Sequence, residues 1–219
     1  MKNLLALLFA SSSLFSFAQE QTPIPRTIFK ISPLYFLENT LKIGIERINK
    51  SYTKSYSFSV SARTDNLGQQ NEMMGYNGLA GEFQYRSYIM PLKEYISKKG
   101  RTYQQGLYAA GFLQAGNFVT SGKTYVYPYY PTYPPQPPNY VNSYSRDIVN
   151  TSLGFTLGIQ KVFWGVLFLD IYVGGGFQYA STIHIGYQSP DGYQEYYDVF
   201  SPGYKGIIPK IGFSLGMSL

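Results

Sequence analysis

The chain of 219 residues has no cysteine, one histidine and one tryptophan, and Asp, Glu, Lys and Arg together make up only 14% of it. Without cysteine there is no disulfide scaffold, no cysteine-type zinc site, no thiol nucleophile and no lipid-anchored N-terminal cysteine. Long hydrophobic runs are missing too. Beyond the N-terminus the longest is Val162 to Leu169, far short of the roughly 18 apolar residues that a membrane-spanning helix needs. Sparse charge with a mean hydropathy of -0.16 fits neither a disordered tail nor a helical membrane protein. What the chain has in abundance is aromatic residues, 18% of the total with 23 tyrosines and 15 phenylalanines. These side chains favour strands.

Met1-Lys2-Asn3 is a short basic start, Leu4 to Ala10 an apolar core, and Ser16-Phe17-Ala18 puts small residues at the cleavage-determining positions. This order predicts a secretory signal peptide over 1–18, cut after Ala18, rather than a buried N-terminal helix. An exposed lead over 19–26 follows. An exported chain without an apolar helix enters a membrane only as a closed barrel.

Period-two alternation predicts eight strands, near Thr27 to Tyr35, Thr40 to Ile48, Tyr52 to Ala62, Leu79 to Met90, Gly106 to Val119, Asp147 to Lys161, Leu167 to Ala180 and Tyr204 to Leu219. Tyr56, Phe58, Val60 and Ala62 alternate with Ser55, Ser57, Ser59 and Ser61. The strand from Gly106 is ambiguous, because small residues occupy both of its faces. Arg63 to Gly78, Pro91 to Gln105, Thr120 to Ser145 and Ser181 to Gly203 read as connections, with a tight turn at Asn49-Lys50. Thr120 to Ser145 is Tyr/Pro-rich, and its prolines cannot donate to a ladder. The expected fold is all-β: an eight-stranded antiparallel transmembrane β-barrel over 27–219, an up-and-down meander following the signal peptide. Connections alternate between shorter ones after the second, fourth and sixth strands and mostly longer ones after the third, fifth and seventh, as in outer-membrane barrels. The fifteen-residue connector after the fourth strand and the short link near Leu37 to Asn39 depart from that pattern.

Alternation alone does not say which face is outside. The polar face is largely Gly, Ser, Thr and Asn, which suit the narrow interior of an eight-strand barrel. The apolar face is bulky, and its charges (Lys54, Asp147, Lys161 and Lys205) fall at strand ends, where long stems can reach the headgroups. Tyrosines gather toward strand ends and loops, as an interfacial girdle does. The apolar face is therefore expected to meet lipid. That orientation places Lys30, Lys42, Glu46, Glu82, Arg86, Asp170 and Lys210 inside. Four positive and three negative groups in a narrow lumen must pair, since an unpaired buried charge is costly. A proton or ion path is one reading; a structural network that plugs the lumen is the expected one.

Five stretches, ISPLYFLENTLKIGIERI (Ile31 to Ile48), FQYRSYI (Phe83 to Ile89), QGLYAAGFLQAGNF (Gln105 to Phe118), LGFTLGIQKVF (Leu153 to Phe163) and PKIGFSLGMSL (Pro209 to Leu219), resemble a family of small outer-membrane β-barrels of uncharacterised role common in Bacteroidota. The resemblance covers most strands and no long loop. It implies an eight-strand barrel of the OmpX or OmpA transmembrane type and carries no catalytic residues. Apolar residues at alternate positions up to Leu219 also look like the terminal-strand signal read by the outer-membrane assembly machinery, although Leu219 stands where an aromatic is common.

Some eight-strand barrels modify lipid A with a histidine and a serine in hydrogen-bond reach. The sole histidine, His184, is expected in a polar loop near Ser181 and Ser189. Gly186 stands where that deacylase pattern has serine. Gly174-Gly175-Gly176 precedes no helix and is no phosphate loop; it relieves crowding or allows a bend. No catalytic, cofactor-binding or metal site is expected, and export argues against nucleic acid as a partner. The expected partners are outer-membrane lipids and lipopolysaccharide, whose phosphates suit rim Lys and Arg, and the assembly machinery during biogenesis. Tyr125, Tyr127, Tyr129, Tyr130, Tyr133 and Tyr140 offer either a stacking surface for sugars or a protein groove, or a low-entropy cover over the strand tips. The expected function is a non-enzymatic outer-membrane barrel with a structural or surface-interaction role. A membrane-embedded accessory subunit of a larger secretion or assembly complex, with a protein partner in the envelope, is the alternative. A lipid A-modifying enzyme and a soluble ligand-binding barrel come behind it.

Overall fold

Alternating side chains become strands wherever neighbouring backbones can share a ladder. The computed structural model describes residues 26–64, 75–96, 102–126, 140–164, 166–186 and 199–218. The described residues form eight strands: Thr27–Ile31 (β1), Thr40–Ile48 (β2), Lys54–Thr64 (β3), Gly75–Ile96 (β4), Thr102–Val126 (β5), Tyr140–Phe163 (β6), Leu167–Gly186 (β7) and Gly206–Ser218 (β8). Each pairs antiparallel with its sequence neighbours. β1 also pairs with β8, Ile28 opposite Ser218 and Ile31 opposite Leu215, so the meander closes on itself.

Several boundaries differ from those read off the sequence. β1 stops at Ile31, because Pro33 has no N–H to give the ladder. Pro33–Glu38 instead forms a 3-10 helix that ends at Asn39 in the left-handed region, φ 52°. β3 begins at Lys54 and not Tyr52, since the Asn49 side-chain oxygen accepts from Thr53 N at 2.9 Å and Lys54 N at 3.1 Å, closing a longer turn than Asn49-Lys50. β4 and β5 run on until only 97–101 separates them, which removes the fifteen-residue connector. Pro91 is accommodated by register shifts between Tyr88, Met90 and Lys93. Ile89 and Met90 both face out there and Leu92 turns in, the signature of a bulge. β5, β6 and β7 likewise extend beyond the expected ends, and β8 starts at Gly206.

The even strand count puts both ends of the ring's chain on one side, with the Asn49–Thr53 turn, the paired ends of β4 and β5 at Ile96 and Thr102, and the Trp164–Val166 turn. The 3-10 helix and the strand ends at Thr64, Gly75, Val126, Tyr140 and Gly186 lie on the other. Large apolar side chains point outward: Phe155 is 76% exposed and Leu153 58%. The interior holds the charges, with an apolar cluster at the chain-end side that includes Ile28, Ile48, Tyr88, Leu92, Tyr108 and Phe168. A smaller cluster, Tyr76, Ala80, Phe118, Ile148 and Ala180, sits toward the long connections.

Two glycines of β7 are required by close approach. A Cβ on Gly174 would stand 2.1 Å from the Phe155 carbonyl oxygen, and one on Gly176 2.3 Å from that of Leu153. Gly174 and Gly176 thus relieve crowding between β7 and β6, while a Cβ on Gly175 would stand 2.9 Å from the Ile208 carbonyl oxygen of β8.

Candidate functional site: the interior charge network

All seven charges expected inside are there, and all are buried. The strand pleat explains this. Lys30, Lys42, Glu46, Glu82, Arg86, Asp170 and Lys210 share the parity of the inward Ser and Gly positions on their strands. They form two clusters.

The first lies above the apolar cluster. Lys30 Nζ donates to Asp170 Oδ2 at 2.8 Å and also pairs with Glu46. Arg86 NH1 bridges the same carboxylates, 2.7 Å from Asp170 Oδ2 and 3.3 Å from Glu46 Oε2. Tyr108 donates its hydroxyl to Asp170 Oδ1 at 2.7 Å, and its ring lies under the Arg86 guanidinium, 4.4 Å away. Glu46 further accepts from Ser55 and from Gln160 Nε2. The single Tyr88 hydroxyl proton is placed between Glu46 Oε1, at 3.2 Å, and Gln160 Oε1. Two cations and two anions make this cluster neutral.

In the second cluster, Lys42 and Lys210 both donate to Glu82 Oε2 at 2.7 Å. Lys42 also rests over the Tyr35 ring at 4.7 Å and Lys210 over Phe112 at 3.7 Å. Gln84 joins the clusters: its amide nitrogen donates to Glu82, and its oxygen accepts from Arg86 Nε and NH2 at 3.0 and 2.8 Å.

Beyond the second cluster, a cavity of about 260 Å³ opens toward the long connections, with Lys210, Arg63, Gln114 and Phe118 in its wall. The segment from Ser201 to Tyr204 folds into this mouth. Gln178 Nε2 lies 3.1 Å from the carbonyl oxygens of Ser201, Pro202 and Tyr204, and Asn150 Nδ2 donates to Pro202 at 3.1 Å.

No family model, no curated protein and no solved structure matches the chain. The geometry alone has to speak for the site. It saturates carboxylates with cations and hydroxyls, which fixes strands on opposite sides of the ring to one another. Among the described residues no group of three or more metal-ligating side chains is assembled.

Sequence reasoning gathered the charges and missed their neutral partners. Gln84, Tyr88, Tyr108 and Gln160 complete the first cluster, and Tyr35 and Phe112 the second. Parity was the available signal, since Gln84 and Tyr88 flank Arg86 at two-residue steps and Gln160 sits directly opposite Asp170.

The other candidates fall differently. Tyr127, Tyr129, Tyr130 and Tyr133 lie outside the described residues. Tyr125 and Tyr140 are not in a loop: they belong to β5 and β6, opposite Val141 and Val126. Within Thr120 to Ser145 prolines occur only from Pro128 to Pro138, so the flanking N–H groups are free to pair. His184 likewise lies within β7, opposite Arg146, and not in a loop beyond it. Ser189 is outside the described residues, as are the signal peptide and the lead except for Arg26. The Arg26 carbonyl accepts from Ile48 N at 2.7 Å, which ties that residue to β2.

Proposed function

We propose that the chain is a small, non-enzymatic outer-membrane β-barrel, exported through a cleaved signal peptide, with a lumen plugged by side chains and a structural or surface-interaction role. The resemblance to the Bacteroidota barrels, an expectation of the sequence, points the same way. One observation carries the reading: the fold is inside out for a water-soluble protein, with seven charges buried at its centre and most of its large apolar side chains facing out.

The outward band has the right height. Along β6 the outward residues from Val149 through Leu153, Phe155 and Leu157 to Ile159 span about 25 Å, at about 3.3 Å per residue and a tilt near 40°, which matches the apolar band of outer-membrane barrels. Asp147 and Lys161 bracket this band on the same face of the strand. Tyr56, Tyr85 and Trp164 stand outward on the chain-end side and Tyr179 on the other, suited to two interfacial girdles. No described helix is long and apolar enough to cross a membrane; a barrel crosses with strands. The longer connections would face the exterior and meet lipopolysaccharide, while the terminal strand would be recognised by the assembly machinery.

The test joins fractionation to electrophoresis. The mature chain is expected in the outer-membrane fraction, migrating differently in boiled and unboiled samples. Recovery in a detergent-free periplasmic extract, with no heat-dependent shift, would overturn the proposal.

A further inference from the structure

The charge cluster nearest the mouth is out of balance. Lys42 and Lys210 converge on one carboxylate oxygen of Glu82, whose other oxygen accepts from Gln84. The Lys30, Arg86, Glu46 and Asp170 cluster is neutral, so among the described residues a full positive charge remains on the triad. Besides Glu82, Lys210 has among the described residues the Gln114 oxygen at 3.5 Å and the face of Phe112, and neither is a counter-charge. A buried ammonium sharing half a carboxylate is expensive to hold.

The cavity opens on Lys210. Of the described charged residues in its wall, Lys210 and Arg63 are cationic, and the one acidic member, Glu38, is exposed. Arg63 is held over the Tyr76 ring, 5.3 Å from its centroid. About 260 Å³ accommodates a small polar molecule with its charged group directed inward. A charge-assisted bond to an ammonium in a low-dielectric recess is stronger than the same contact in water.

We propose that the mouth cavity binds a small oxyanion, a phosphate or carboxylate group that pairs with Lys210. The inference does not depend on the membrane reading, since the imbalance lies inside the ring in either case.

The full chain, kept in nonionic detergent, is titrated with inorganic phosphate at constant ionic strength while its unfolding temperature is followed. A saturable rise is expected. In Lys210→Gln the apparent affinity falls at least about tenfold, whereas Lys210→Arg and the outward Lys54→Gln retain the response. In phosphate-free buffer Lys210→Gln melts at or above the parent temperature, because Lys42 and Glu82 remain as a balanced pair. A second arm uses micelles doped with phosphatidylglycerol against phosphatidylcholine. A Lys210-dependent response confined to phosphatidylglycerol assigns the oxyanion to a lipid headgroup, and one to free phosphate assigns it to a soluble ligand. The proposal is overturned if neither probe gives a Lys210-dependent response, or if Lys210→Gln melts well below the parent without phosphate. The latter result would mean that a carboxylate of the chain already balances the triad.

Discussion

At the scale of single residues, the interior is governed by charge count rather than by any one bond. Arg86 faces two carboxylates together with Lys30, so Arg86→Met leaves Glu46 and Asp170 sharing one ammonium. Breaking a buried pair from one side costs about 3–5 kcal/mol, and a loss of that size is expected for Arg86→Met in urea unfolding. Adding Asp170→Asn restores one cation against one anion, Lys30 against Glu46. The double variant should therefore lose less than the sum of the two single changes, a coupling that a double-mutant cycle reads directly. Strict additivity would mean that the cluster does not act as one electrostatic unit. Glu82 is the mirror case: Glu82→Gln leaves two ammoniums with no anion, and it should destabilise more than Lys210→Gln does.

At the scale of elements, the alternation that was legible in the sequence is the alternation that chemistry demands of both faces at once. Leu41, Ile43 and Ile45 against Lys42, Gly44 and Glu46 leave β2 one orientation, and its observed bounds match the expected ones. Where both faces turn polar the signal fades although the ladder continues, as from Thr120 to Val126 on β5 and from Tyr140 to Arg146 on β6. The bulge after Tyr88 was hidden for another reason: a slip of parity near Pro91 looks like the end of a strand. Pairings across the lumen were also out of reach. Lys30 meets Asp170 140 positions away, a contact fixed by the curvature of the whole ring. Glycine placement makes an element-scale prediction. Gly174→Ala drives a methyl into the backbone of β6 and should cost on the order of 1–3 kcal/mol or more. The outward Gly81, with nothing within 4 Å of its added Cβ, should accept alanine with a change within about 0.5 kcal/mol. Equal losses at both sites, measured by urea-induced unfolding, would reject close packing of β6 on β7 as the reason for glycine at position 174.

At the scale of the whole molecule, the same outward residues must be read as a core turned inside out or as a surface wetted by lipid, and depth separates the two. On the membrane reading the cost of a charge depends on where along the strand it stands. Leu153 and Phe155 are central to the outward face of β6, while Val149 is near its edge, two residues from Asp147. Leu153→Arg should then destabilise the protein refolded in vesicles by about 2–4 kcal/mol, and Val149→Arg by about 0–1 kcal/mol. A soluble barrel predicts a different result. Both positions are open in the isolated chain, Leu153 58% and Val149 47% exposed, and water would welcome arginine at either. The two substitutions would then be equally mild, and solubility without detergent would rise. Interior packing cannot imitate the depth dependence, because neither side chain reaches the lumen and the charge network is untouched. Urea titrations of both variants in vesicles therefore test the surroundings of the barrel independently of what fills it. A gradient from the centre of the band to its edge supports a lipid surround, and a flat response removes it.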